Sequence, residues 1–280
     1  MARKIITIGE CILNVEFCNG VPVKAFPGGR ILNVATMLGR CGYDVEMVGE
    51  CGQDRMGDLI IEALTENNVS TRSIDRFTEG LTPSRYIFND APSVYYQQFS
   101  EQEFDFVWPS LERDDIVVFG SFFAVSQRVR ARVYELLQYA SERGAIIIYL
   151  PGFAPQRAPR ITKQMPAIFE NLELADMVVC RNNDLKYIFG GDNEADVFNR
   201  HISFYSSNFV NINETEGVIT HRHAKDVDVA TLPPTADLLH YNVAIVASIV
   251  KQIVDENLTR ESLHEVSLSS ITKVLENNQN

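Results

Sequence analysis

Apolar positions along the chain change period several times, and the changes mark out elements. Residues 5–9 form a short apolar run closed by a glycine, the pattern of a buried first strand. Two alternating segments follow, 11–17 and 21–26, separated by Asn19-Gly20, which predicts a hairpin. Pro27-Gly28-Gly29 then breaks the chain ahead of residues 33–42, whose apolar spacing is helical and ends on a glycine. A strand is expected at 45–49 and a helix at 58–67, its face built from Leu59, Ile60, Ala63 and Leu64. Tyrosine-rich segments at 84–88 and 93–99, with Asn89-Asp90 between them, predict a second hairpin. The two hairpins are free to pair with each other away from the main sheet.

The second half alternates strand and helix. Strands are expected at 115–119, 145–149, 177–180, 209–212 and 217–221. Helices are expected at 127–143, around 167–171, at 183–189, at 236–256 and at 260–276, with Gly144 and Gly190-Gly191 as stops. Such alternation predicts an α/β fold with a mostly parallel sheet flanked by helices on both faces. No linker or internal repeat divides the chain, so residues 1–280 read as a single domain. A small β-lid is expected from about 11–27 and 84–99.

Composition agrees with a globular protein and excludes a low-complexity one: 45% of the 280 residues are hydrophobic and 22% charged. The formal net charge of −12 disfavours nucleic acid and anionic membrane surfaces as partners, though a local basic pocket for one small anion remains compatible with it. Five cysteines without a Cys-x-x-Cys pair fit scattered reduced thiols. The apolar stretch near the start is too short for a signal peptide, and the longest apolar segment, 243–250, is far short of a bilayer span. A cytoplasmic protein is expected.

Walker-type, dinucleotide-binding, hydrolase-elbow and zincin motifs are all absent from the sequence. His221-x-His223 places two imidazoles on one strand face, but with no third ligand visible nearby they read as exposed hairpin residues. Asp192-x-Glu194-x-Asp196 has calcium-loop spacing without the required glycine or final glutamate, and reads as a solvated acidic loop. The segment Pro27-Gly28-Gly29-Arg30-Ile31-Leu32-Asn33 is more specific. Two glycines before a helix let backbone amides approach a ligand, and Asn33 both donates and accepts towards hydroxyls.

With Leu38-Gly39, Gly42, Val48-Gly49, Gly52-Gln53-Asp54, Gly57 and Asn68-Val69, this ordered series resembles the N-terminal signature of the ribokinase-like (PfkB) carbohydrate kinases. The resemblance implies a doubly wound sheet with a β-lid that often forms a homodimer interface. It also implies transfer of a phosphoryl group from ATP, with magnesium, to a hydroxyl of a small sugar or related polyol. Carried over residue by residue, it places sugar contacts at Asn14 (where the family has Asp), Gly28, Gly29 and Asn33. On the nucleotide side it places Asp184, Asn211, Asn213 and Gly217, with Asp184 acting indirectly on the metal.

The phosphoryl-transfer half departs from the family pattern. The family's Asp-Pro-Asn-x-Arg appears as Leu150-Pro151-Gly152-Phe153-Ala154, and its Asn-x-x-Glu as Arg181-Asn182-Asn183-Asp184. The Gly-Ala-Gly-Asp turn should supply both an anion hole and the catalytic base. One register puts Leu239 at the base and Tyr241 and Ala244 on the family's aromatic and small positions. A register two residues away makes Asp237 the base, and neither restores the glycines. Two readings follow: a homologue with impaired catalysis and retained sugar binding, or an active kinase using Asp237. A third gives the lid aromatics Tyr86, Phe88, Tyr95, Tyr96 and Phe99 the role of a homodimer interface.

Overall fold

The structure, a computed structural model, describes residues 3–88, 93–100, 102–152, 155, 157–191, 193–223, 226–234 and 238–277, with backbone alone for 93–100, 238–240 and 277. Its strands are β1 (Lys4–Ile8), β2 (Ile12–Cys18), β3 (Val21–Gly28), β4 (Asp44–Gly52), β5 (Val69–Phe77), β6 (Gly80–Phe88), β7 (Ser93–Ser100), β8 (Ile116–Gly120), β9 (Ile146–Leu150), β10 (Met177–Arg181), β11 (Asn208–Asn213), β12 (Val218–His223) and β13 (Asp226–Thr231). Its helices are α1 (Arg30–Arg40), α2 (Arg55–Glu66), α3 (Arg130–Arg143), α4 (Met165–Leu174), α5 (Asn182–Phe189), α6 (Glu194–Val197), α7 (Leu238–Asp255) and α8 (Leu268–Asn277).

Nine strands make the main sheet in the order β13-β12-β11-β10-β9-β8-β1-β4-β5. The ladder is parallel from β5 to β11 and turns antiparallel only at β12 and β13. Burial on both faces explains the unbroken apolar strands. In β9, Ile146, Ile148 and Leu150 join a core under α1, α2, α7 and α8, while Ile147 and Tyr149 face the opposite core under α3, α4 and α5.

The lid is a separate sheet in the order β3-β2-β6-β7. Its first hairpin turns at Asn19 and Gly20, both with positive φ (50° and 75°), as a two-residue turn requires. The two hairpins join through a parallel β2–β6 ladder, Asn14 opposite Arg85. Phe17 stacks on Phe88 at 4.7 Å between centroids and meets Tyr86 edge-on at 6.1 Å, so these two aromatics stabilise the lid itself. The side chains of Tyr95, Tyr96 and Phe99 lie outside the described residues.

Several boundaries differ from the sequence expectation. Helix α1 begins at Arg30 rather than 33, because Gly28 ends β3 and Gly29 caps the helix. The expected terminal helix divides. A capping box between Thr259 and Ser262 opens a short 3₁₀ turn, Arg260–Glu265, and α8 starts only at Leu268. The acidic segment is not a loop: Asn193 caps α6 and Glu194 pairs with Arg222 at 2.5 and 2.8 Å, while Asp192 lies outside the described residues. Among the described residues no helix is long and apolar enough to cross a membrane.

Candidate functional site

In a parallel sheet the backbone leaves each strand at its C-terminal edge, and side chains just beyond those edges converge. Here Glu10 follows β1, Ser121 follows β8, Gly152 follows β9, and Arg181 ends β10. With Asn14, Phe26, Gly29, Asn33 and Arg85 from the lid and α1, they line a cleft of about 230 Å³.

Three of the four expected sugar-side residues line this cleft, namely Asn14, Gly29 and Asn33. Gly28 does not line it; instead the Asn14 amide lies against its Cα, where a β-carbon would collide with it. Gly29 has φ 126°, and a β-carbon there would strike the Glu10 carbonyl, so only glycine fits the start of α1. Its carbonyl accepts the Asn33 backbone N–H at 2.9 Å, setting Asn33 on the first turn. Asn14 is 2% exposed, and its Oδ1 accepts no hydrogen bond. A buried acceptor left this way costs about 1–3 kcal/mol, which a ligand hydroxyl donating to it would recover. This half of the cleft is thus lined by a residue with an unpaired hydrogen-bond acceptor.

The other half is dominated by cations. Asp184 is buried, and its carboxylate accepts from Arg181 Nε at 2.6 Å, from Arg181 Nη2 at 2.8 Å and from Arg30 Nη2 at 3.1 Å. Arg30 also donates to the Pro151 carbonyl at 3.3 Å. Burial alone would lower the Arg181 pKa, but the hydrogen bonds and charge of Asp184 outweigh it and raise it. Gly152, with φ 133°, sits so close that a β-carbon would collide with the Asp184 carboxylate. Glu10 pairs with Arg157 at 2.7 Å, and Arg157 lies over the Phe122 ring at 4.2 Å.

A magnesium ion held through Asp184 does not fit this arrangement. The carboxylate already accepts three hydrogen bonds from two guanidinium groups, whose charge would repel a dication. The remaining nucleotide-side candidates lie apart from the cleft. Asn211 is buried with Nδ2 on the Cys180 carbonyl at 3.5 Å, Asn213 Oδ1 accepts the Glu216 N–H at 3.1 Å, and Gly217 closes the turn into β12. Asp237 lies outside the described residues. Leu239 is the second residue of α7 by its backbone, and Tyr241, whose hydroxyl donates to the Pro233 carbonyl at 2.9 Å, and Ala244 pack in the core.

The sequence reading missed Arg30, Arg85 and Arg157 as cleft residues. For Arg85 a signal existed: it alternates along a lid strand and so shares a face with the expected ligand side. The other two come from a helix start and a loop, where no periodicity points inward. The expectation for His221 is corrected. It is fully buried rather than exposed, because β13 and the 260–266 segment cover β12.

A mostly parallel sheet wound on both faces, with a β-lid over the C-terminal strand ends, is the architecture of the ribokinase-like kinases. Solved structures show the same fold. The aminoimidazole riboside kinase of Salmonella enterica, complexed with aminoimidazole riboside and an ATP analog, superposes with a TM-score of 0.83 at 15% identity, covering 96% of this chain and 91% of its own. A fructokinase double mutant of Vibrio cholerae with bound fructose, ADP and potassium gives 0.80 at 15% identity, covering 98% and 89%.

The chain belongs to the pfkB family of carbohydrate kinases, whose family model matches residues 2–236. Among curated relatives, fructokinase-1 of Oryza sativa is 24% identical over 208 residues, 69% of this chain and 64% of its own. An uncharacterized sugar kinase of Pyrococcus horikoshii is 26% identical over 201 residues, 66% and 63%. The chain thus spans less than two thirds of the length of these relatives.

Proposed function

We propose that this pfkB-family protein binds a small sugar or related polyol in the lid cleft while its phosphoryl transfer from ATP and magnesium is impaired. The observation that carries the reading is Asp184, the family's metal-organising acid, tied on both oxygens to Arg181 and Arg30. Retained binding is supported by Asn14, Gly29 and Asn33 meeting in one cleft and by the unpaired Asn14 Oδ1. Binding and turnover separate in two assays. Thermal-shift screening against neutral and acidic sugars, with and without Mg-ATP, should show stabilisation by at least one sugar that is lost in Asn14→Leu. A coupled ADP-release assay with the same sugars should stay at background. Steady sugar-dependent ADP release that disappears in Asp237→Asn would overturn the impairment and favour the active-kinase reading.

A homodimer through the lid is a second reading with its own support. Strand β3 is an edge of the lid sheet and exposes Val21 and Val23 at 60% and 58%. Apolar side chains on an unpaired edge invite strand pairing with a second copy. Light scattering should then give a dimer mass that falls to the monomer in Val21→Lys/Val23→Lys.

A further inference from the structure

We propose that the β12–β13 hairpin carries a divalent transition-metal site of the zinc type, formed by His221, His223 and Asp228. Antiparallel pairing sets His221 directly opposite Asp228, and His223 lies two residues further on the same face. One ligand atom from each of the three falls within 4.8 Å of the other two. His223 Nε2 and Asp228 Oδ2 are 3.1 Å apart, a spacing at which a metal ion can replace the proton they share.

His221 is the second, independent observation. It is completely buried, and its Nδ1 lies 3.4 Å from the Val266 carbonyl. A carbonyl only accepts, so Nδ1 carries the proton and the Nε2 lone pair is left over. That Nε2 is buried without any hydrogen-bond partner. An imidazole nitrogen with a free lone pair is the form that binds metal, and here it is held inside the fold. A backbone carbonyl on the far nitrogen is also the partner that orients metal-bound imidazoles. The ring of His264, on the 260–265 turn, lies 5.9 Å from that of His223, and His264 or water completes four-coordination.

The site is separate from the sugar cleft. His223 pairs with Asn208 at the N-terminal end of β11, whereas the cleft gathers at the C-terminal strand ends. Its two imidazoles, one carboxylate and absence of thiolate favour Zn²⁺ over Ca²⁺ or Mg²⁺, which prefer all-oxygen shells. A bound ion would tie the sheet's edge strand to β12.

The test uses the full chain without an affinity tag, stripped of metal, with Cys18 and Cys41 changed to Ser so that exposed thiols cannot compete. Co²⁺ titration followed by visible absorption, and Zn²⁺ by competition against bound Co²⁺, should show one equivalent with a tetrahedral spectrum. His223→Ala and Asp228→Asn should each weaken binding by about tenfold or more, since loss of an outer-sphere partner alone costs ~10–100-fold. Both positions are partly or fully exposed, so the variants keep the wild-type circular dichroism. Absence of saturable one-to-one binding would overturn the site, as would affinity unchanged in the double variant.

Discussion

Replacing Asp184 by Asn tests the arginine cage directly. The side chain keeps its shape but loses its charge and turns one acceptor into a donor. Three charge-assisted hydrogen bonds depend on it, at 2.6, 2.8 and 3.1 Å, in a carboxylate only 6% exposed. Removing one partner of a fully buried ion pair costs about 3–5 kcal/mol. Arg30 and Arg181 remain 14% and 30% exposed, so water refills part of the loss, and ~2–3 kcal/mol is the expected cost. Equilibrium urea unfolding near neutral pH, followed by circular dichroism, should show a lower midpoint with an unchanged slope. Arg181→Asn leaves Asp184 with Arg30 alone and should cost ~1–2 kcal/mol. The double variant should then fall short of the sum of the singles by about 1 kcal/mol or more, because both remove the same contact. A cost below ~0.5 kcal/mol for Asp184→Asn, or strict additivity, would show that the arginines do not hold the carboxylate. The case against a magnesium ion there would fall with it.

Two further outcomes rest on other parts of the molecule. Asp54 caps α2 and accepts from the Gly57 N–H at 2.8 Å and from the Thr82 N–H and hydroxyl, both at 2.7 Å. Burial raises its pKa, but these bonds outweigh burial and hold it below the ordinary value. A depressed folded pKa gives stability that is present above about pH 4 and lost as pH falls through the folded pKa. Asp54→Asn should therefore lower the urea midpoint near neutrality and flatten its decline below about pH 4; an acid decline as steep as wild type would refute this. Thiol labelling should modify Cys18 and Cys41 in the native protein and the other three only after denaturation. Cys11, Cys51 and Cys180 are buried, and burial pushes the Cys51 thiol up to about 12 and the other two upward as well. Rapid native labelling of a third thiol would contradict the packing of the core.

The fold was legible where side-chain burial and period coincide. Strand β9 reads from its aliphatic run because both faces are covered, and the first hairpin reads from Asn19-Gly20 because few other residue pairs tolerate two positive φ angles. Strands β5 and β13 were missed for opposite reasons. In β5 the fully buried Ser73 breaks the apolar pattern, satisfied by Glu46 through a 2.5 Å hydrogen bond rather than by hydrophobic contact. In β13 all but one side chain are exposed, so no alternation is required of Asp226–Thr231.

The site divides along the same line. Gly29 and Asn33 are set by local backbone demands at the start of α1, and local demands leave a readable motif. The Asp184 cage joins Arg30 to a carboxylate 154 positions away, and Asp228 reaches His221 only through the hairpin register. Such pairings depend on how strands stack, and no spacing along the chain encodes them. The proposed sugar binding rests on the local kind of placement, and the proposed impairment of phosphoryl transfer on the long-range kind. Arg181 departs from the family's motif in the sequence and pairs with Asp184 at 2.6 and 2.8 Å in the structure, so the two observations support the proposed impairment from separate sides.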